Sequence, residues 1–407
     1  MQATNLMVHQ EYLPSAKRRV RVVHLTSVHR ATDLRIFQRE CRTLARNGYG
    51  VTLISPHDGD ETIDGVSIKS VLRPKSRLYR MTSTLWQIYR EAVRQDADLY
   101  HFHDPELIPV GVLLRAKGKQ VIYDMHENVP HQILGGEDKQ WIPRTLRRPL
   151  SWLFGAFERA VSRSFSAIVT ANPEISQHAM RISQRVVLIG NYPDAMEFSA
   201  FNSDPARYAS GRVLSFGGIS FRTCMRQVVQ AFSQLSCALP AELILAGAAT
   251  QTGLADELSA MPGWTRVRYL GPQPRRRILD ELQQGAMALV LFSRAPNHMG
   301  VGSNRFYEAL ASGLPVVVSD FPQWQEIIDA VGCGIAVNPD DATAISQAIE
   351  FLLTHPQEAA EMGRRGRQAF LAQYCWDAEQ PKLLDLYEQL TAAQVTQTNA
   401  RRVNSLV

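Results

Sequence analysis

Cysteine is scarce in this chain. The five cysteines among 407 residues, Cys41, Cys224, Cys237, Cys333 and Cys375, are scattered, and no two stand in CxxC spacing. That argues against a disulfide framework and a cysteine-based zinc site, and it fits reduced thiols. Long apolar runs are also lacking, so no membrane-spanning helix is expected. Met1 to Pro14 holds no apolar stretch ahead of Lys17-Arg18-Arg19, so no signal peptide is expected and the chain is placed in the cytoplasm. No internal repeat and no GxGxxG fingerprint occurs. No module of interleaved aromatic and basic residues appears, so no nucleic-acid partner is expected.

What is present is ordinary globular composition, with 45% hydrophobic and 20% charged residues and a formal net charge of +5. The length favours two domains. Excess Arg is compatible with phosphorylated ligands or anionic lipid, but charge alone selects neither.

Strand and helix patterns alternate through the first half. Strands are expected at Val20–Leu25, Val51–Ser55, Gly65–Leu72, Asp98–Phe102, Gln120–Asp124 and Ala167–Thr170. Helices are expected at Asp33–Asn47, Leu78–Arg94, Pro105–Lys117 and Leu150–Ser164. Turn residues then cluster from Gly190 to Gly211, marking a domain boundary. The alternation restarts with strands at Arg212–Phe216, Glu242–Ala246, Arg266–Leu270, Ala288–Phe292, Pro315–Ser319 and Gly334–Val337. The tail from Ala359 to Leu390 reads as helix, interrupted near Tyr374-Cys375-Trp376-Asp377. Such alternation implies parallel βαβ units.

In open α/β sheets, ligands bind outside the carboxyl ends of the strands. Polar residues collect there in both halves. They include Ser27, His29 and Arg30 with Asp33 and Arg35; His103, Asp104 and Glu106; Asp124, His126, Glu127 and Asn128; and Gly217 and Gly218. Each has a plainer reading. Asp104-Pro105 is a good helix start, with Asp104 as N-cap. Gly217-Gly218 reads equally as a phosphate cradle or a tight turn. His101 and His103 could suggest a metal, but a surface and a packed histidine are the commoner pair. No third ligand has supporting spacing, so no metal is expected.

The segment Ser303–Asp320 carries most information. Arg305 and Glu308 lie three apart near a helix start, and Gly313-Leu314-Pro315 leads into an apolar strand. A helix N-terminus facing strand ends suits an anion. Arg305 can meet phosphate while Glu308 accepts hydrogen bonds from sugar hydroxyls.

Tyr100–Leu107, Val121–Pro130 and Ser303–Glu308 with Gly313–Val317 together resemble the family 4 retaining glycosyltransferases of bacterial surface-polysaccharide synthesis. Asp33–Phe37, Asn191-Tyr192-Pro193, Phe321–Trp324 and Tyr374-Cys375-Trp376 extend the resemblance, which runs from Val20 to Leu390. It implies a GT-B α/β fold, with two doubly wound Rossmann-like domains facing a central cleft. The implied divisions are an acceptor domain over 18–190, a linker over 191–211, a donor domain over 212–374 and a helix crossing back over 375–395. The resemblance places Glu308 on the donor ribose, with Arg305 and Asn304 at the diphosphate. Gly217, Gly218, Arg222 and Arg226 join them there, and Gly300 lies by the transferred sugar. His126, with His103 and Arg305, would surround the reacting centre. His29, Arg35, Asp104 and Glu127 would face the acceptor. A nucleotide diphosphate-sugar is then a substrate, no cofactor is needed, and the acceptor is a glycan or glycolipid.

The chain departs from the family pattern in four places. Gly300 stands where the family carries a Glu, Thr223 and Cys224 where it carries Arg-Gly, Ser303 where it carries Pro, and Arg305 where it carries Lys. Gly300, Thr223 and Cys224 open an alternative, a catalytically impaired homologue that binds nucleotide-sugars or a partner. A stretch from Trp141 to Phe154 mixes Arg with Trp, Leu and Phe. It reads either as a helix packed into its domain or as a peripheral contact with an anionic membrane.

Overall fold

A computed structural model describes residues 19–135, 142–201, 204–294 and 303–404. Val22, Val23 and Leu25 form a strand buried on both faces, β1 (Arg21–Leu25). A parallel strand covered on both sides reads as a near-continuous apolar run. Seven more strands join it: β2 (Gly50–Pro56), β3 (Glu61–Ile63), β4 (Val66–Val71), β5 (Leu99–Phe102), β6 (Gln120–Met125), β7 (Ala167–Thr170) and β8 (Val186–Leu188). Their order is β3-β4-β2-β1-β5-β6-β7-β8, parallel except for the β3–β4 hairpin. That hairpin turns through Asp64 and Gly65, both at positive φ.

The second sheet holds β9 (Arg212–Phe216), β10 (Glu242–Ala246), β11 (Val267–Gly271), β12 (Met287–Val290), β13 (Val316–Ser319) and β14 (Gly334–Val337). It is all parallel, in the order β11-β10-β9-β12-β13-β14. In each sheet the order reverses at one strand. β1 lies between β2 and β5, and β9 lies between β10 and β12. The crevices at those carboxyl ends are the natural ligand positions.

The last described element is a helix, Trp376–Asn404. It leaves the second unit and buries Trp376, Leu383, Leu386, Tyr387 and Leu390 in the core beneath β1, β2, β5, β6 and β7. The Trp376 indole N–H donates to Thr43 Oγ1 at 2.9 Å, and Glu379 accepts from the Gly190 amide at 2.8 Å. At the junction, Tyr192, Tyr307 and Tyr374 meet ring to ring, with centroids 4.6 to 5.7 Å apart.

Several expected elements differ. The helix expected over Asp33–Asn47 begins with wide π-type turns, Leu34–Cys41, before a short α-helix, Arg42–Arg46. Asp33 caps it through the amides of Arg35 and Ile36. The wider winding buries Arg35, Arg39 and Glu40 together with Ile36, Phe37 and Cys41. The long helix expected at Leu78–Arg94 also contains a π segment, Arg80–Thr84. The helix expected from Leu150 begins earlier, at Arg144, and contains Pro149. Sequence reading missed β3, β8 and the helices Val129–Gly135 and Pro173–Met180. The two strands are short and the two helices sit in loop-like sequence.

Candidate functional site

At the end of β9 the chain turns sharply at Gly217, where φ is +103. A side chain there would be strained and would press on Arg305 at 3.2 Å. The close approach lets Arg305 Nη1 donate to the Phe216 carbonyl at 2.7 Å. The guanidinium also lies 4.7 Å from the centre of the Phe292 ring. Burial lowers the Arg305 pKa to about 10, so it remains a cation at neutral pH.

Glu308 stands one turn along the helix Asn304–Ala311. Glu308 Oε1 accepts from Arg275 Nη1 at 2.7 Å. Arg275 also holds both oxygens of Glu197 at 2.7 Å. Burial raises the Glu308 pKa and Arg275 opposes it. Arg39, from the first unit, hydrogen-bonds the Asn191 side chain. Burial lowers the Arg39 pKa to about 10, against the pull of Glu308 and Glu197. Sequence reading missed Arg275 and Arg39.

The loop after β9 is tightly tied. Ser220 and Thr223 cap each other, and Thr223 Oγ1 donates to the Gly218 carbonyl at 3.1 Å. The Arg222 carbonyl accepts from the Ser293 amide at 2.8 Å. Arg226, expected at the diphosphate, is engaged elsewhere. It pairs with Glu257 at 2.6 Å and stacks on Phe221 at 4.2 Å. Gly300, with Asn297, His298 and Met299, lies outside the described residues, as does Trp141.

The first unit supplies a dense polar cluster at the end of β1 and β5. Asp104 forms no side-chain cap on its helix, contrary to expectation. Its Oδ2 accepts from Thr26 Oγ1 at 2.8 Å and the Ser27 amide at 2.6 Å, so it fixes the loop after β1. His29 lies 3.3 Å from Asp33 and 3.5 Å from Asp104. The hydrogen bond to Asp33 raises the His29 pKa. Arg35, expected toward the acceptor, grips both oxygens of Asp124 at 2.9 and 3.1 Å and donates to the Ile189 carbonyl. Burial alone would raise the Asp124 pKa. Arg35 and His126 outweigh it and hold Asp124 well below the usual carboxylate range.

His101 and His103 are both buried, rather than one packed and one at the surface. His103 lies 3.1 Å from Asp124 Oδ2 and 3.0 Å from His24 Nδ1, so both ring nitrogens have protein partners. His126 Nε2 is 2.8 Å from Asp124 Oδ2. His24, Glu40, His101 and His103 each offer a donor atom within 4.8 Å of the others, as do His103, Asp124 and His126. Either set is close enough to share a cation. No spacing along the sequence reveals the first set, because it comes from separate elements.

His126 lines two cavities. One, of 190 Å³, lies between the units and is bounded by Arg35, Asn172, Asn191, Tyr192 and Tyr307. The other, of 380 Å³, is bounded by His29, Arg80, Glu106, Glu127 and Phe154. A 480 Å³ cavity beside Arg207, Gly313 and Arg364 includes none of the expected site residues.

Comparison with known proteins covers both halves. Residues 210–369 match the family model described as glycosyl transferases group 1, and residues 35–194 match that of glycosyltransferase family 4. A GDP-mannose:cellobiosyl-diphosphopolyprenol alpha-mannosyltransferase of Xanthomonas oryzae pv. oryzae is 25% identical over 350 residues, covering 82% of this chain and 83% of that one. Its counterpart in Xanthomonas campestris is 23% identical over 315 residues, 75% and 78% of the two chains. Among solved structures, sucrose-phosphate synthase from Thermosynechococcus elongatus superposes with a TM-score of 0.71 at 18% identity, covering 92% of this chain and 100% of that one. Anabaena Alr3699/HepE, solved with UDP and glucose, gives 0.64 at 14% identity over 91% and 100%. At such identities the structural likeness shows the fold.

Proposed function

Because the chain belongs to the family 4 glycosyltransferases and has their GT-B fold, we propose that it transfers a sugar from a nucleoside diphosphate to a hydroxyl of a lipid-linked glycan, with retention of configuration. One observation carries the donor half of this reading. Arg305 and Glu308 stand half-buried, one turn apart, on the helix that opens onto the Gly217 turn, at the switch point of the second sheet. The names of the two Xanthomonas relatives, with a nucleotide-mannose and a polyprenol diphosphate, support the substrate classes.

A departing nucleoside diphosphate gains negative charge. Arg305, the amides of Gly217 and Gly218, and the N-terminus of Asn304–Ala311 are the groups that meet it. No step is assigned to a metal. Glu308, with Oε1 on Arg275, keeps its second oxygen for the ribose hydroxyls. The acceptor enters beside His126, between the two cavities it lines. Retention follows from attack on the face the diphosphate leaves, with binding of both substrates as the main contribution. Closure of the units excludes water and suppresses donor hydrolysis.

Arg226 and Thr223 supply little to this charge. Arg226 is paired with Glu257, and Thr223 is held inside its capping box. Arg305, with Arg222 in the loop after β9, is left to supply the side-chain charge in the reading. A thermal-shift screen of nucleotide-sugars, followed by product analysis with polyprenol-linked acceptors, tests it. Transfer with inverted configuration, or no stabilisation by any donor, would refute it.

A lipid-linked acceptor fits a second feature. On the helix Arg144–Ser162, Leu146, Leu150, Leu153 and Phe157 stand at i, i+4, i+7 and i+11, and all are exposed. They form one apolar stripe rather than the packed face a buried helix would show. Trp152, 74% exposed, flanks it among Arg144, Arg148 and Arg159. Among the described residues no helix is long and apolar enough to cross a membrane. The stripe suits shallow contact with an anionic leaflet.

A further inference from the structure

A run of hydrogen bonds leads from Asp124, beside the cleft, to the last helix. His103 Nδ1 lies 3.1 Å from Asp124 Oδ2, and His126 Nε2 stands 2.8 Å from the same oxygen as a close charge contact without hydrogen-bond geometry. His103 Nε2 is 3.0 Å from His24 Nδ1. His24 Nε2 is 3.1 Å from the Tyr387 hydroxyl, which is 2.8 Å from His101 Nδ1. His24 belongs to β1, His101 to β5, Asp124 to β6 and Tyr387 to Trp376–Asn404. Apart from His126, every member is buried.

The direction of each bond follows from chemistry. Asp124 is ionised beside Arg35, so it can only accept. His103 therefore donates from Nδ1. Burial lowers the pKa of His24, His101 and His103, so each is neutral and carries one ring hydrogen. His103 Nε2 must then accept from His24 Nδ1. His24 Nε2 must accept from the Tyr387 hydroxyl. The Tyr387 oxygen in turn accepts from His101 Nδ1. Every hydrogen points toward Asp124, which as the obligate acceptor sets the order, and the Tyr387 hydroxyl completes it by donating to His24 Nε2.

Resting on the functional reading above, we infer that Tyr387 is a positioning residue for the transfer site. Docking of the C-terminal helix gives His24 Nε2 its donor and so stabilises the tautomers that Asp124 requires of His24 and His103, and these hold Asp124 beside His126. Removing the hydroxyl leaves His24 Nε2 with no donor and His101 Nδ1–H with no acceptor. His24 is then free to move its hydrogen to Nε2. The bond to His103 is lost, because two lone pairs would face each other. The same nitrogens lie 3.7 to 3.9 Å from Glu40 Oε2, so a cation held there is the competing occupant. A cation would take the lone pair of His24 Nδ1 and force the opposite tautomer.

Long-range proton–nitrogen NMR on nitrogen-15 histidine-labelled full-length protein decides between these orders. Single His→Gln variants give the assignments. His24, His101 and His103 should all carry their hydrogen on Nδ1. A hydrogen on Nε2 of His24, or one equivalent of zinc in the purified protein, overturns the inference. In Tyr387→Phe, His24 should leave the pure Nδ1–H form while the melting temperature stays close to wild type. Its kcat should fall about tenfold or more, as when a reacting imidazole loses its orienting partner, with donor KM unchanged. A fall in kcat matched by the loss of folded protein, or a rise in donor KM instead, would overturn the positioning role. If wild type transfers no sugar from any donor, the functional reading fails and takes that role with it. The tautomer pattern would still stand.

Discussion

Arg275 Nη1 lies 2.7 Å from Glu308 Oε1, and the rest of the same guanidinium clasps Glu197. This contact orders the acid that the proposed function places on the donor ribose. Glu308 is largely buried, so an unpaired charge there would be costly. Arg275→Ala should push the Glu308 pKa up and weaken donor binding by about 2 kcal/mol or more, roughly 30-fold in Kd. Isothermal titration against pH measures both. Unchanged affinity at neutral pH would show that Arg275 merely braces the fold.

Gly217→Ala tests the turn that brings Arg305 to the Phe216 carbonyl. The new methyl group would meet Arg305 at 3.2 Å and sit at φ +103. Strain there costs about 1–3 kcal/mol. Denaturant melts should show that loss, and donor affinity should fall with it. An alanine variant with wild-type stability and affinity would mean that neither the turn nor the contact matters.

The pair His29–Asp33 makes stability depend on pH with two signs. The His29 pKa is raised above 6.5, chiefly by its hydrogen bond to Asp33. Its stabilisation is therefore complete below pH 6.5 and lost as pH rises through the folded value. Burial raises the Asp33 pKa, but His29 and the amides of Ile36 and Arg35 outweigh it and depress it. That contribution is present above the unfolded value of about 3.9 and fades as pH falls through the folded value. His29→Gln should flatten the alkaline slope of urea midpoints between pH 6 and 8. An unaltered slope would contradict the assignment.

Leu150→Glu with Leu153→Glu places two acids on the exposed stripe. The double variant should keep its melting temperature, because both side chains face solvent. It should lose flotation with anionic vesicles at low salt, and transfer to polyprenol-linked acceptors should fall further than transfer to a short soluble acceptor. Equal flotation of wild type and variant, or none by either, would remove the membrane reading.

Much of the scaffold is legible in the sequence because buried parallel strands write themselves as apolar runs. Arg212–Phe216, Glu242–Ala246 and Gly334–Val337 have the bounds that pattern gives. Gly217 follows the first of these strands and His126 follows β6, while Arg305 and Glu308 are legible in the helix start of Ser303–Asp320. What stayed hidden depends on contacts between distant segments. Arg275 sits in Arg275-Arg276-Arg277, which reads as a solvated helix start. Arg39 and Glu40 face inward on a π-wound segment, whose face a regular helical spacing does not give. His24 was a legible warning, since an imidazole inside an apolar strand needs a partner. Its partner Tyr387, 363 residues away, was not legible.

In the proposed function, the helix carrying Arg305 and Glu308 binds a nucleoside diphosphate-sugar for transfer. Isothermal titration of wild type and Glu308→Ala with a panel including GDP-mannose and UDP-glucose tests it most directly. Wild type should bind at least one donor, and Glu308→Ala should bind that donor about tenfold more weakly or worse with its melting temperature preserved. Equal affinity of the two proteins, or no binding of any donor by wild type, would contradict the account.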